Sequence, residues 1–428
     1  METRQRFTTG LLGFTVLFLT FVLIAFAESA FTATMDGLKL FALVVLPSLL
    51  PFFIVSELLY GTGMVHFLGV LFEPMMRPLF NVPGIGSFVL SMGLAAGYPM
   101  DAVLTAKFRR DGLCTRIEAE RMLAFSNTAD PLFIFGAVAV GMFTRPEFGL
   151  VLAIAHYSAS FAVGVIYRFH GLREEAHDHP ARSNFEDRIY SSGGMIRRAF
   201  RALYQARAED GRSLGTILNE AIAESTQTLI KIGCFIVLFA VLLRMLDQIG
   251  AGAMLEAMLA PVLSVFGISS SLSNALLQGI FEIDLGSQAA SVADAPMYER
   301  LIIASAIIAW SGLSVHGQVA SILTGTDIRL LPYVIARLIH AVLAALFTLA
   351  VLLVNPSVLR PPSGVSRVET VWTAWAESGT SSLGAAGIFW HHLQLSLKWS
   401  LVAFALLLLT SLALFLWQSV KQRSWIRI

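Results

Sequence analysis

Runs of about 20 apolar residues, the length that crosses a bilayer as a helix, recur along this chain near 8–28, 38–60, 122–143, 147–169, 227–248, 301–324, 330–354 and 398–418. They predict about eight transmembrane helices. Two further apolar stretches, 83–106 and 268–292, are interrupted by glycine, serine, proline and carboxylate and read as re-entrant helical hairpins. Non-helical backbone is tolerated at membrane depth only where protein or a wet cavity satisfies it. The first stretch contains Gly93-Leu-Ala-Ala-Gly-Tyr-Pro-Met-Asp101 and the second Gln278-Gly-Ile-Phe-Glu-Ile-Asp284. A fixed offset of 183 residues places Pro78 on Pro261, Gly84 on Gly267, Ile85 on Ile268 and Asp101 on Asp284. Paired, interrupted hydrophobic segments at matching places in two halves point to the binding site of a secondary transporter.

Positive residues orient the spans. Arg4 and Arg6, the Lys107–Arg121 cluster, the arginines of 170–226, and Lys421, Arg423 and Arg427 all fall on one side if eight helices cross. Both termini are then cytoplasmic. The span before the first hairpin runs inward and the span before the second runs outward, so the two units have inverted topology. The division is 1–34, an N-terminal membrane anchor with a signal-like Ala25-Phe-Ala27; 35–169, the first repeat; and 170–226, a cytoplasmic linker. It continues with 227–354, the second repeat; 355–397, an extracytoplasmic loop with Trp372, Trp375 and Trp390; and 398–428, a final helix with a basic tail.

Composition agrees. The chain is 56% hydrophobic and 14% charged, against about 25% charged in soluble domains, and its mean hydropathy is +0.71. This is an integral membrane protein. Its net charge of +1 gives no reason to expect a nucleic-acid partner. Two cysteines, Cys114 and Cys234, form neither a disulfide framework nor a metal-ligand spacing. His170, His177 and His179 read as part of a solvated linker. No cofactor or metal is expected, beyond a coupling proton or sodium ion.

Enzyme motifs are missing. There is no His-Glu-x-x-His and no Gly-rich phosphate loop ending in Lys-Ser/Thr. Gly312-Leu-Ser-Val-His316 lacks the last glycine of a nucleophile elbow.

Acids at membrane depth are functional candidates by default. Glu57, Asp101, Asp130, Glu282 and Asp284 are the candidates, and for Glu57 and Asp101 a wet helix end near the interface is an equal reading; Asp101, Asp130, Glu282 and Asp284 are taken for ion or proton coupling. Two helix breaks supply neutral groups. At Ser126-Asn-Thr-Ala-Asp-Pro131, Pro131 removes a backbone donor and frees a carbonyl. Its counterpart is Trp310-Ser-Gly-Leu-Ser-Val-His-Gly-Gln318. Asn127, Thr128, Ser311, Ser314, His316 and Gln318, with Gly97 and Tyr98 of the first hairpin, are the candidate substrate contacts. His156 and His340, on apolar spans, read as structural.

The segments Leu46-Pro-Ser-Leu-Leu-Pro-Phe-Phe-Ile-Val-Ser-Glu-Leu-Leu59, Gly93–Pro99, Ser126–Gly141 and Gly312–Ser321 resemble the sporulation integral membrane proteins with paired nucleoside-recognition (Gate) domains. The resemblance runs in order from about 35 to 355. It implies a fold similar to the concentrative nucleoside transporters, all α, with two re-entrant hairpins in two inverted Gate repeats. It also implies a cargo, dipicolinate moved from the mother cell toward the forespore, and homo-oligomers or other sporulation membrane proteins as partners. Asp101 and Asp284 stand where the family pattern is expected to carry small or hydroxyl residues. A nucleoside, another small carboxylate, or a non-transporting scaffold are the rival expectations.

Overall fold

The computed structural model describes residues 2–42, 46–175 and 194–359. The expected crossing at 398–418, nearly all of the 355–397 loop, and His177 and His179 lie outside the described residues. Every element among the described residues is helical. The first half runs α1 (Glu2–Ala25), α2 (Ala27–Leu40), α3 (Leu46–Gly61), α4 (Met64–Phe80), α5 (Gly86–Ala96), α6 (Met100–Arg110), α7 (Arg116–Ser126), a π-helix over Leu132–Met142, and α8 (Glu147–Tyr167). After α9 (Met195–Asp210) come α10 (Leu214–Gln248), α11 (Ala251–Val265), α12 (Ser273–Phe281), α13 (Ile283–Val292), α14 (Met297–Trp310), α15 (Gly312–Leu323) and α16 (Leu330–Val354).

Four of these are long and apolar enough to cross a membrane: α8, α10, the broken pair α14–α15 and α16. The count reaches six if two bent pairs are each one span, α1–α2 at 98° and α3–α4 at 86°. The expected span at 8–28 therefore turns sharply at Phe26, and the one at 38–60 is divided between the end of α2 and α3. Element starts recur at the offset read from sequence. Met100 of α6 and Ile283 of α13 are 183 residues apart, as are Glu147 of α8 and Leu330 of α16.

The long helix α10 has 35 residues and opens at Leu214, N-capped by Ser213, whose Oγ accepts from Thr216 N at 3.1 Å. Hydropathy placed its start at 227 because Glu220, Glu224 and three polar neighbours dilute the first turns. Those turns nonetheless expose Leu214, Leu218 and Ile222 along one side. The two main cores lie around α4–α7, with Phe72, Phe80, Phe88, Phe108 and Phe125, and around the π-helix, α8, α13 and α14.

Helix α7 starts with a capping box between Thr115 and Glu118. One turn on, Glu120 gathers the chain's charges. Arg329 Nε lies 2.8 Å from its Oε1, and His170 Nε2 lies 2.7 Å from its Oε2. Arg116 and Arg329 both also reach Glu174, at 2.7 and 3.2 Å. Burial works against the Glu120 carboxylate, but hydrogen bonds from Arg329 and His170 outweigh it and hold the carboxyl at about 2. A carboxyl held below its ordinary value stabilises the fold where the unfolded form is ionised and stops doing so as pH falls. The thermal midpoint in mild detergent should therefore drop as pH is lowered from about 5 toward 2. In Glu120→Gln that slope should be shallower, with a lower midpoint at neutral pH.

Candidate functional site

Pro131 has no N–H, so the carbonyl four residues earlier, Asn127 O, has no helical donor. Helix α7 accordingly stops at Ser126, and Asn127 is extended at φ −72°, ψ 92°. The end of a buried helix needs other donors for its last carbonyls. Here several come from α8 and α16. Arg337 Nη1 donates to Asn127 O and Arg337 Nη2 to Ala124 O. Ser160 Oγ donates to Phe125 O at 2.5 Å and the Tyr157 hydroxyl to Ala129 O at 3.0 Å. The carbonyl that Pro131 frees is thus held by a guanidinium. A cation at the C-terminal end of a helix also suits the macrodipole.

Arg337 is fully buried in the second turn of an apolar 25-residue helix. Its Nη1 also donates to His340 Nδ1 at 2.9 Å, and His340 Nε2 in turn donates to His156 O at 2.9 Å. His156 Nε2 accepts from Ala129 N at 3.0 Å. Both histidines link α8 and α16 to the break.

The counter-charge is Asp101, fully buried in the first turn of α6, whose carboxylate interacts with Arg337. Asn127 Nδ2 donates to its Oδ1 at 2.9 Å, and Ser126 Oγ lies 3.2 Å from its Oδ2. The Tyr333 hydroxyl donates to Asn127 Oδ1 at 3.2 Å. Asp101, Ser126, Asn127, Tyr333 and Arg337 therefore form one network.

The connection between α5 and α6 is Gly97-Tyr98-Pro99, with a cis Tyr98–Pro99 bond. A Cβ on Gly97 would lie 2.8 Å from Asp130 Oδ2, so this tip sits directly on the first break. Asp130 Oδ1 accepts from Phe133 N at 2.9 Å and starts the π-helix. Tyr98 crosses to the other half, donating to Ile308 O at 2.7 Å.

The second break is shorter than the expected Trp310–Gln318. Only Ser311 leaves the helix, at φ 69°, followed by Gly312 at φ 77°. Ser314, His316 and Gln318 lie on regular α15, all buried. A Cβ on Gly312 would lie 2.9 Å from Phe281 O and 3.0 Å from Glu282 Cα, so the α12–α13 tip sits on this break. Glu282 is the N-cap of α13, its Oε2 accepting from Leu285 N at 2.9 Å. Asp284 follows in the first turn, with the carboxyls of Glu282 and Asp130 in its electrostatic surroundings. His316 Nδ1 pairs with Gly312 O at 2.7 Å, and its ring lies 4.3 Å from Trp310 and 5.2 Å from Tyr333.

Among the expected residues, Gly97, Tyr98, Asp101, Asn127 and Asp130 join at the first break, with Glu282 and Asp284 adjoining from the second tip. Thr128 is buried beside them, its Oγ1 3.4 Å from Ser126 O. Glu57 stands apart, paired with Lys107 at 2.5 Å. No group of histidine, cysteine and carboxylate suited to a metal ion occurs among the described residues.

The nucleoside-recognition (Gate) family model matches residues 42–173. The sporulation integral membrane protein YlbJ of Bacillus subtilis (strain 168) is 44% identical over 345 residues, covering 81% of this chain and 83% of the relative. The chain belongs to the YlbJ family of sporulation integral membrane proteins. No solved structure matches it significantly.

For a YlbJ-family protein, two residues of this site escaped sequence reading: Arg337 and Tyr333. One signal was present. Arg337 is the eighth residue of an otherwise apolar helix, and an arginine costs about 2.5–3.5 kcal/mol at a membrane helix centre on insertion scales, which implies a buried partner.

Proposed function

We propose that this protein is a secondary transporter of a small anionic aromatic metabolite, with dipicolinate the leading cargo. Its setting would be the mother-cell-derived outer forespore membrane, in a multi-pass protein with cytoplasmic ends. The observation carrying this reading is the convergence of two helix–break–helix tips on two broken helices inside an apolar body. Discontinuous helices brought together in this way line the substrate and ion sites of secondary transporters. Eight crossings, re-entrant hairpins in two inverted repeats, and the division into 35–169 and 227–354 belong to the same proposal. So do homo-oligomerisation and contact with other sporulation membrane proteins.

Asn127, Thr128, Ser311, Ser314, His316, Gln318, Gly97 and Tyr98 would surround the cargo. Asp101, Asp130, Glu282 and Asp284 would handle a coupling proton or sodium ion, since unprotonated acids beside a dicarboxylate repel it. Flux of dipicolinate into proteoliposomes, with uridine as comparator and an imposed proton or sodium gradient, tests the reading. Gradient-responsive movement of dipicolinate supports it. Uridine movement alone would favour the nucleoside reading that the Gate match suggests. No flux of either, from folded and inserted protein, would favour a scaffold.

Glu282→Gln keeps an oxygen that can cap Leu285 N but removes the charge. It should insert normally and lower flux at least tenfold. Unchanged flux would take the Glu282 charge out of the mechanism.

A further inference from the structure

His316 Nδ1 faces a carbonyl oxygen, Gly312 O, at 2.7 Å. A carbonyl only accepts, so Nδ1 carries the hydrogen, and a neutral imidazole then has a bare lone pair at Nε2. That Nε2 is buried without a hydrogen-bond partner, on a residue only 5% exposed. The Oγ of Ser314, two residues earlier, is likewise buried and unpartnered. Buried polar atoms without partners are uncommon in native proteins, and each calls for a reason. Trp310 and Tyr333 hold the ring in place, and Tyr333 connects it to Asn127 at the first break.

We infer that His316 Nε2 is where cargo and proton bind together. A neutral His316 offers a carboxylate only a lone pair, which repels it. A protonated His316 offers an N–H to a carboxylate oxygen. Conversely, a buried imidazolium is costly unless an anion stands beside it. Among the groups facing the ring, α16 contributes Tyr333 and the cation Arg337. Asp101 of α6 interacts with that guanidinium and is bonded to Asn127. The neighbouring Glu282 caps α13. From α10, Phe235 and Phe239 come close, against Gly317. The anion that balances the proton is then the cargo's own. One proton moves to Nε2 as one carboxylate arrives: an N–H bond forms, an O–H bond of hydronium or a buffer acid breaks, and no bond of the cargo changes. Linkage makes the effect reciprocal, so the anion strengthens proton binding by the factor by which the proton strengthens anion binding. This inference rests on the transport reading and adds to it a proton carried on His316 with the cargo.

Calorimetric titration of pyridine-2,6-dicarboxylate into purified full-length protein, in two buffers of different ionisation enthalpy, counts protons directly. The wild type should take up close to one proton per dicarboxylate bound. Its Kd should weaken about tenfold per pH unit between about pH 6 and 8. In His316→Gln, which can donate an N–H without ionising, proton uptake and the pH slope should vanish while affinity stays within about tenfold at the higher pH. Proton uptake persisting in His316→Gln, or absent from the wild type as it binds, overturns the inference and leaves the transport reading standing. A wild type that binds uridine but no dicarboxylate at any pH removes the cargo reading itself, and the inference with it.

Discussion

Replacing Arg337 with methionine should destabilise the protein by about 2–5 kcal/mol, since two buried carbonyls lose their donor at about 1–3 kcal/mol each. The substitution strands Asp101 as an uncompensated carboxylate and strips the donors from Ala124 O and Asn127 O. Arg337→Lys should fall between the two. A single ammonium keeps the charge, but it cannot reproduce the planar fork that reaches two carbonyls and a histidine. Thermal unfolding in mild detergent, read by loss of the monodisperse gel-filtration peak, gives the order. Adding Asp101→Asn to Arg337→Met should recover part of the loss, because the stranded charge is gone while the orphaned carbonyls remain. If Arg337→Met matches the wild type, the guanidinium is not what holds the break.

Gly286→Val should stop transport and cost about 1–3 kcal/mol, as overpacking typically does. A Cβ at Gly286 would overlap the backbone of Gly279 and come within 3.2 Å of Ala275 O. Helices α12 and α13 touch backbone to backbone there, and valine forces them apart next to the Glu282 tip. The paired readout is proteoliposome flux and thermal midpoint, with Gly194→Ala as control, since nothing lies within 4 Å of its added Cβ. Wild-type flux from Gly286→Val would show that the hairpin tolerates splaying and that its closeness is incidental to function.

Much of this arrangement was legible because membranes make certain residues conspicuous. Asp101, Asp130, Glu282 and Asp284 stand out in apolar surroundings, and Pro131 announces a missing donor. Glycines at the two tips mark where backbones approach. What stayed hidden has physical causes too. A hydropathy window averages Arg337 over a helix of leucine, valine and alanine, so one charge disappears into the mean. The role of Glu282 as an N-cap was obscured because serine, threonine, aspartate and asparagine are the usual caps. The second break was read too long because polar residues on α15 resemble a loop in one dimension, although a regular helix can bury them. Nothing in Leu132–Met142 distinguishes a π-helix from an α-helix by apolar pattern alone.

The crossing bond from Tyr98 to Ile308 O has a mechanical consequence. It fastens the first tip to the helix that carries the second break, and the second tip is tied to the same helix by Trp310 Nε1, which donates to Ile280 O at 3.1 Å. Neither tip can swing alone without stripping a polar contact to that helix. If the centre of this protein shifts to face first one compartment and then the other, both tips and both breaks travel as one cargo-bearing block. The sliding surfaces must then lie farther out, along the lipid-lined flanks of α10 and its neighbours.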